Sequence, residues 1–384
     1  MHNRTFFSMM LLLSALFVFT ITTTARTACD TPQVQVAWVT YTEDIAIYDG
    51  HTVTRIAGDE GSLANPYVFG EQIVWERRPN RLHPNLPHEL MLWDGNSVTQ
   101  LTDNNWRDFN PMMSGEQVIW YADTAGVQIY DSEAITTLSA SETDIGWQPR
   151  LSGDYAVWSA RPDADTPPEI YVWDGNHVIQ LTDNNYADEM PRLAGNRIVW
   201  QATTADDIRH IMFWDGSTGE TVVLDSFDIS MVGNTPQRTV VGYPHVSETV
   251  VVWNRIGEDG NMNVRNLFMW DGETVTQITD NDAVNVVRDI SNEQFVWSAS
   301  NLADGRRFLL WDGEGAIEFA PASTTVGNPS IDAGHVVWAQ RHSRDTTDIF
   351  LYHDNTTLQL TTAEFEGKRH SPHISVTVPD DCSA

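Results

Sequence analysis

The chain has 384 residues, with 53 acidic side chains against 22 lysines and arginines and a formal net charge of −31 at pH 7. Such a charge repels nucleic acid and anionic membrane surfaces and excludes both as partners. Two cysteines are too few for a disulfide-dense scaffold or a cysteine-rich metal module.

Residues 1–25 read as a secretory signal. Arg4 precedes an apolar run from Phe6 to Ile21, and Thr23-Thr24-Ala25 offers small residues for cleavage. The run is short for a bilayer span of about 20 residues, so an uncleaved anchor is only the rival reading. Arg26, three before Cys29, argues against lipid attachment. Export predicts a secreted, periplasmic or cell-surface protein with no membrane span after cleavage.

From there the chain repeats itself. Short β-branched runs end in Trp38, Trp75, Trp120, Trp158, Trp200, Trp253, Trp297 and Trp338, at intervals of 37, 45, 38, 42, 53, 44 and 41 residues. A period in the low forties built of strands and turns predicts a β-propeller, one four-stranded sheet per repeat. In each clear copy a short strand turns at a glycine, such as Gly115 or Gly195, into the tryptophan strand. A third strand ends in an aromatic-Asp-Gly hairpin, as at Trp93-Asp94-Gly95 or Trp270-Asp271-Gly272, and a fourth reads Val98-Thr-Gln-Leu101 or Val275-Thr-Gln-Ile278.

Strand counting predicts how the ring closes. In seven copies the residue nine before the tryptophan opens the first strand: Pro66, Pro111, Pro149, Pro191, Pro244, Arg288 and Pro329. Before Trp38 no such strand exists, and a surplus strand stands at the tail, Ser371-Pro-His-Ile-Ser-Val376. The expectation is all-β: a single eight-bladed β-propeller of four-stranded antiparallel blades over residues 29–382, with the C-terminal strand completing the first blade. That arrangement brings Cys29 to Cys382, which predicts a disulfide across the seam. The long interval before Trp253 lacks a hairpin signal and predicts a loop insertion in which Phe227 to Arg238 overhangs the ligand mouth.

Leu101-Thr102 with Pro111 and Gly115, and Leu181-Thr182 with Pro191 and Gly195, give the repeat a pattern that resembles the TolB-like, or WD40-like, β-propeller repeats. The resemblance implies the propeller fold over the whole mature chain. Eight copies and no separate amino-terminal domain depart from TolB itself, so its role is not implied.

Catalytic signatures are absent: no Gly-x-Ser-x-Gly, no His-Glu-x-x-His and no Gly-x-Gly-x-x-Gly opening a helix. Asp103-Asn104-Asn105-x-x-Asp108 and Asp183-Asn184-Asn185-x-x-Asp188 read either as calcium loops or as turn-capping residues, and no other cofactor is implied.

Strand alternation separates two phases on the first strands. Val68, Met113, Leu151, Leu193, Val246, Ile290, Ile331 and Ile374 form the packed phase. Tyr67, Met112, Arg150, Arg192, His245, Asp289, Ser330 and His373 form the channel phase, in which Arg150, Arg192 and His245 make a cationic arc. Arg77, Arg161, Arg255 and Arg341 recur after the tryptophans, where they either pair with neighbouring acids or form an anion-binding rim. Trp106 and Trp147 stand outside the repeat positions, as candidate stacking residues. Tyr67, Arg150, Arg192, His245, His373, the four rim arginines and these two tryptophans are the candidate ligand-binding residues. They predict a monomeric, non-enzymatic module presenting one face and its channel to a protein, peptide or anionic glycan. The alternative is a lyase or glycosidase acting on acidic polysaccharide from the same face, so enzymatic activity stays open.

Overall fold

A computed structural model describes residues 33–377 apart from residues 41, 59–60, 81, 83–87, 124, 140–144, 164, 231–240, 257–263, 302–304, 321–324, 342–345 and 363–371. The signal segment 1–25, Cys29 and Cys382 lie outside the described residues, as does the expected disulfide. Among the described residues all the elements are β-strands.

The second repeat shows the plan. Its strands run Ser62–Phe69, Gln72–Arg78, Glu89–Trp93 and Val98–Gln100, each antiparallel to the one before. Aspartate and glycine make the third hairpin: the Asp94 carboxylate accepts the Asn96 and Ser97 amides at 2.8 and 2.7 Å, and Gly95 takes a φ of 93°. Hydrogen bonding gives six such four-stranded sheets and one of eight strands, in which two four-stranded units meet through a parallel bridge from Arg265 to Val284. In the first unit the innermost strand is His373–Thr377, antiparallel to Gln33–Val39, with Ala37 opposite His373.

Apolar clusters lie between consecutive units and hold the eight strand-ending tryptophans, each no more than 2% exposed. Each such ring removes roughly 150–250 Å² from water, so these positions dominate the packing energy. One cluster joins Trp158 of the fourth unit to Ile119 and Val127 of the third. Another gathers Val34, Val36 and Trp38 with Val337, Ala339 and Ile349 of the last unit, and includes Ile374 from the tail strand. In the packed phase of the inner strands Val68, Met113, Leu151, Val246, Ile331 and Ile374 are at most 5% exposed, while Leu193 and Ile290 are partly buried against their clusters.

Two local expectations change. The inner strands begin before their prolines, at Ser62, Asp108 and Ala187, and continue through a register shift at each Pro. Proline cannot donate to the ladder, and a bulge in which Asn65, Asn110 and Met190 adopt positive φ carries the strand past it. The insertion before Trp253 is partly strand: Glu220–Asp228 extends the outer strand of the fifth unit and stays paired through Asp228 to Ile208. Phe227, expected at the mouth, is instead 7% exposed and packs with Ile229 and Val241 in the core. Residues 231–240 lie outside the described residues, and no further strand stands between Asp228 and His245 among the described ones.

Candidate functional site

Register brings the channel-phase residues to equivalent places. Tyr67, Met112, Arg150, Arg192, His245, Asp289, Ser330 and His373 each pair with the residue just before a strand-ending tryptophan, as Arg150 does with Val157 and Arg192 with Val199. Because their neighbours Leu151, Leu193 and Val246 turn into the sheets' packing faces, these side chains turn the other way. All eight line one of two cavities, of about 350 and 210 Å³, which share Met112, Arg150, Arg288 and Asp289.

The larger cavity is neutral on one side. The Tyr67 and His373 ring centres lie 3.8 Å apart with the planes tilted by 32°, and His373 Nδ1 accepts the Val68 amide at 3.3 Å. Burial holds His373 near a pKa of about 4, so it is uncharged at neutral pH, and burial pushes the Tyr67 phenol up. Asp289 accepts the Ser330 hydroxyl at 2.8 Å and the Ile331 amide at 2.9 Å, and burial raises its pKa.

The smaller cavity is cationic. Arg150, Arg192, His245 and Arg288 line it with Asp289 as the one carboxylate among its lining residues. Arg150 Nη1 lies 3.3 Å from Met112 Sδ, the Arg192 guanidinium sits 4.7 Å from the centre of the Tyr243 ring, and Arg288 donates from Nε and Nη2 to Ser298 Oγ at 3.0 and 2.8 Å. His245 is 5% exposed, and its Nδ1 has no hydrogen-bond partner among the described residues. Burial lowers the pKa of Arg150, takes Arg192 well below its usual value and brings Arg288 to about 10, while burial and the three neighbouring arginines depress His245.

The outer candidates do not join this cluster. Arg77 donates to Gln100 Oε1 at 3.1 Å, Arg161 to the Thr166 carbonyl at 2.8 Å, and Arg255 lies 3.8 Å from Asp225 while crossing the Phe227 and Phe268 rings. Arg341 is exposed, Trp106 is 37% exposed, and none of these lines either cavity. The Trp147 side chain lies outside the described residues. Arg288 is the residue that alternation missed: it stands where six other copies carry proline, and that single departure from the repeat is the signal.

The Asp-Asn loops hold the fold together. Asp108 accepts the Trp120 indole N–H at 2.7 Å and the Asn104 amide at 2.8 Å, and Asp188 does the same with Trp200 and Asn184 at 2.7 and 2.8 Å. A third, larger hollow of about 690 Å³ lies at the Trp-Asp-Gly turns, but its one lining cation, Arg197, is committed to the Glu248 carbonyl and the Phe213 ring.

No family model matches the sequence, and neither does any curated protein. Solved structures do resemble it. A Pyrococcus horikoshii acylaminoacyl peptidase is similar with a TM-score of 0.53 at 15% identity, over 78% of this chain and 52% of its own. A puromycin-hydrolysing peptidase of Mycobacterium tuberculosis gives 0.52 at 11% identity, over 79% and 53%. A prolyl endopeptidase gives 0.55 at 10% identity, over 83% and 50%. This chain thus spans about half the length of each. At these identities the likeness shows the fold alone, a β-propeller. The expectation of an exported, non-enzymatic binding module is corrected to this extent: the solved structures that the chain resembles are peptidases. The polysaccharide lyase or glycosidase alternative gains no support either.

Proposed function

We propose that this chain is a peptidase-associated propeller, whose channel admits and orients peptides for hydrolysis carried out beyond the described residues. The observation that carries this reading is the convergence of one polar or cationic side chain from nearly every inner strand on two joined cavities. The propeller-bearing peptidases it resembles support the association. In this proposal the ring has eight blades, and the pairing of His373–Thr377 with Gln33–Val39 closes it. Kinship with TolB-type repeats, export with loss of residues 1–25, a Cys29–Cys382 bridge and a monomeric state belong to the same proposal.

A direct test places bulk in the channel. Met112 lines both cavities, so Met112→Trp blocks the passage between them. A fluorescently labelled unstructured peptide should bind the wild-type protein saturably and lose about tenfold or more in affinity with Met112→Trp, while the melting temperature holds. Unchanged affinity in a folded Met112→Trp protein would put the peptide elsewhere and sink the channel reading.

A further inference from the structure

Three guanidinium groups and a histidine share a 210 Å³ cavity with one carboxylate, and that carboxylate is already engaged. Asp289 spends Oδ2 on Ser330 and Ile331 and Oδ1 on the Ile290 amide. Arg150 meets a thioether and Arg192 an aromatic face, neither of which neutralises charge. Asp289 attracts both Arg150 and Arg192, but one carboxylate against three guanidinium groups leaves buried cations in excess, and that excess is costly unless a further negative charge arrives from outside. His245, which lines the same space, adds a buried ring nitrogen with no partner among the described residues.

Size and connection narrow the ligand. At about 30 Å³ per water, a cavity of 210 Å³ holds a carboxylate or phosphate with little attached. The 350 Å³ cavity shares Met112 and Arg150 with it and, on its neutral side, offers the Tyr67 ring and Ser330 to whatever follows. A charged end with an uncharged polar body fits both lobes at once.

We infer that Arg150, Arg192 and His245, backed by Arg288, form a carboxylate-binding site that takes the C-terminal carboxylate of a peptide in the channel. This assignment rests on the peptide-handling reading above. Forked guanidinium donors suit a planar carboxylate, and an incoming anion relieves the repulsion among the three arginines.

The test uses the full chain with three probes: a labelled peptide with a free C-terminal carboxylate, the same peptide as its C-terminal amide, and sodium phosphate. The acid should bind at least about tenfold tighter than the amide, and Arg150→Gln and Arg192→Gln should each erase most of that preference without weakening the amide. Without ligand, both variants should melt at or above the wild-type temperature, because repulsion is relieved. Equal binding of acid and amide overturns the carboxylate site and leaves the peptide reading standing. Stabilisation by phosphate that Arg192→Gln abolishes, with no binding of either peptide, replaces the ligand by a free oxyanion and overturns the peptide reading. A marked fall in melting temperature of both variants without ligand makes the arginines structural and overturns the site.

Discussion

Asp188 is 1% exposed and Glu169 2%, and Asn184 bridges them, donating its backbone N–H to Glu169 Oε1 at 3.1 Å and its side-chain amide to Asp188 Oδ2 at 2.8 Å. Glu89, Asp108 and Asn104 repeat the arrangement. Where the Trp253 unit meets the Trp297 unit the protein uses neutral groups on the same scaffold: Asn285 Oδ1 accepts the Trp297 indole at 3.2 Å, and Asn266 Oδ1 accepts the Asn281 amide at 3.3 Å. Burial raises the pKa of Asp188 and Glu169, as it does for Asp108 and Glu89. A carboxyl whose folded pKa is raised stabilises the fold while protonated, and that stability is lost as pH rises from the ordinary carboxyl value, about 4, through the folded one. The turn aspartates act oppositely in a separate window: amide hydrogen bonds from Ser97, His177 and Thr274 lower Asp94, Asp174 and Asp271, so their contribution is lost only as pH falls below the ordinary value. Asp188→Asn should therefore flatten the decline in melting temperature as pH rises above the ordinary carboxyl value, and calorimetry across pH 4–8 reads it. An undiminished slope in the variant would show that the pair does not titrate there.

Between elements, the inner strands are linked by a recurring side-chain bond. Ser114, Ser152, Ser291 and Ser375 accept the backbone N–H of Gly153, Gly195, Ala333 and Gly70 in the next unit, at 2.8, 2.9, 3.1 and 3.2 Å. Asp332 fills the same place with a carboxylate, accepting the Val376 amide of the tail strand at 2.7 Å. A neutral bond of this kind contributes about 0.5–1.5 kcal/mol and one to a charged acceptor about 1.5–3, so Asp332→Ala should destabilise more than Ser152→Ala in urea titrations. Equal losses would remove any special role for the Asp332 link. None of these bonds was legible in sequence, because a serine at or near the end of an inner strand carries no mark of the strand it will meet. Alternation was legible, since burial of Leu151 and Leu193 fixes where Arg150 and Arg192 turn. Strand ends were not: Pro66 and Pro111 read as starts because they cannot donate, while left-handed Asn65 and Asn110 let the ladder pass. Phe227 reads as loop by its lack of turn signals, but its neighbour Asp225 accepts the Trp253 indole at 2.8 Å, which holds the segment as strand.

For the whole molecule, the question is whether the tail strand is an integral layer or an appendage. Its pairing with Gln33–Val39, the Asp332 and Ser375 bonds on either side of it, and the seat of Ile374 among Val34, Val36 and Val337 make it a layer like the others. Equivalent positions provide the test. Ile374 and Ile331 hold the same register place in their units, opposite Val36 and Val336, and are 3% and 4% exposed. Truncating a buried isoleucine to alanine costs about 2–5 kcal/mol, and the amount depends on how firmly the surroundings keep the cavity open. If the tail strand shares the cooperative unit, Ile374→Ala and Ile331→Ala should lower the unfolding free energy by similar amounts in that range, with the same denaturant slope. If it is an appendage that detaches before the rest unfolds, Ile374→Ala should cost little in the main transition while Ile331→Ala keeps its full effect. The ratio of the two losses reads whether the tail strand belongs to the cooperative unit, and a value far below one would make it an appendage.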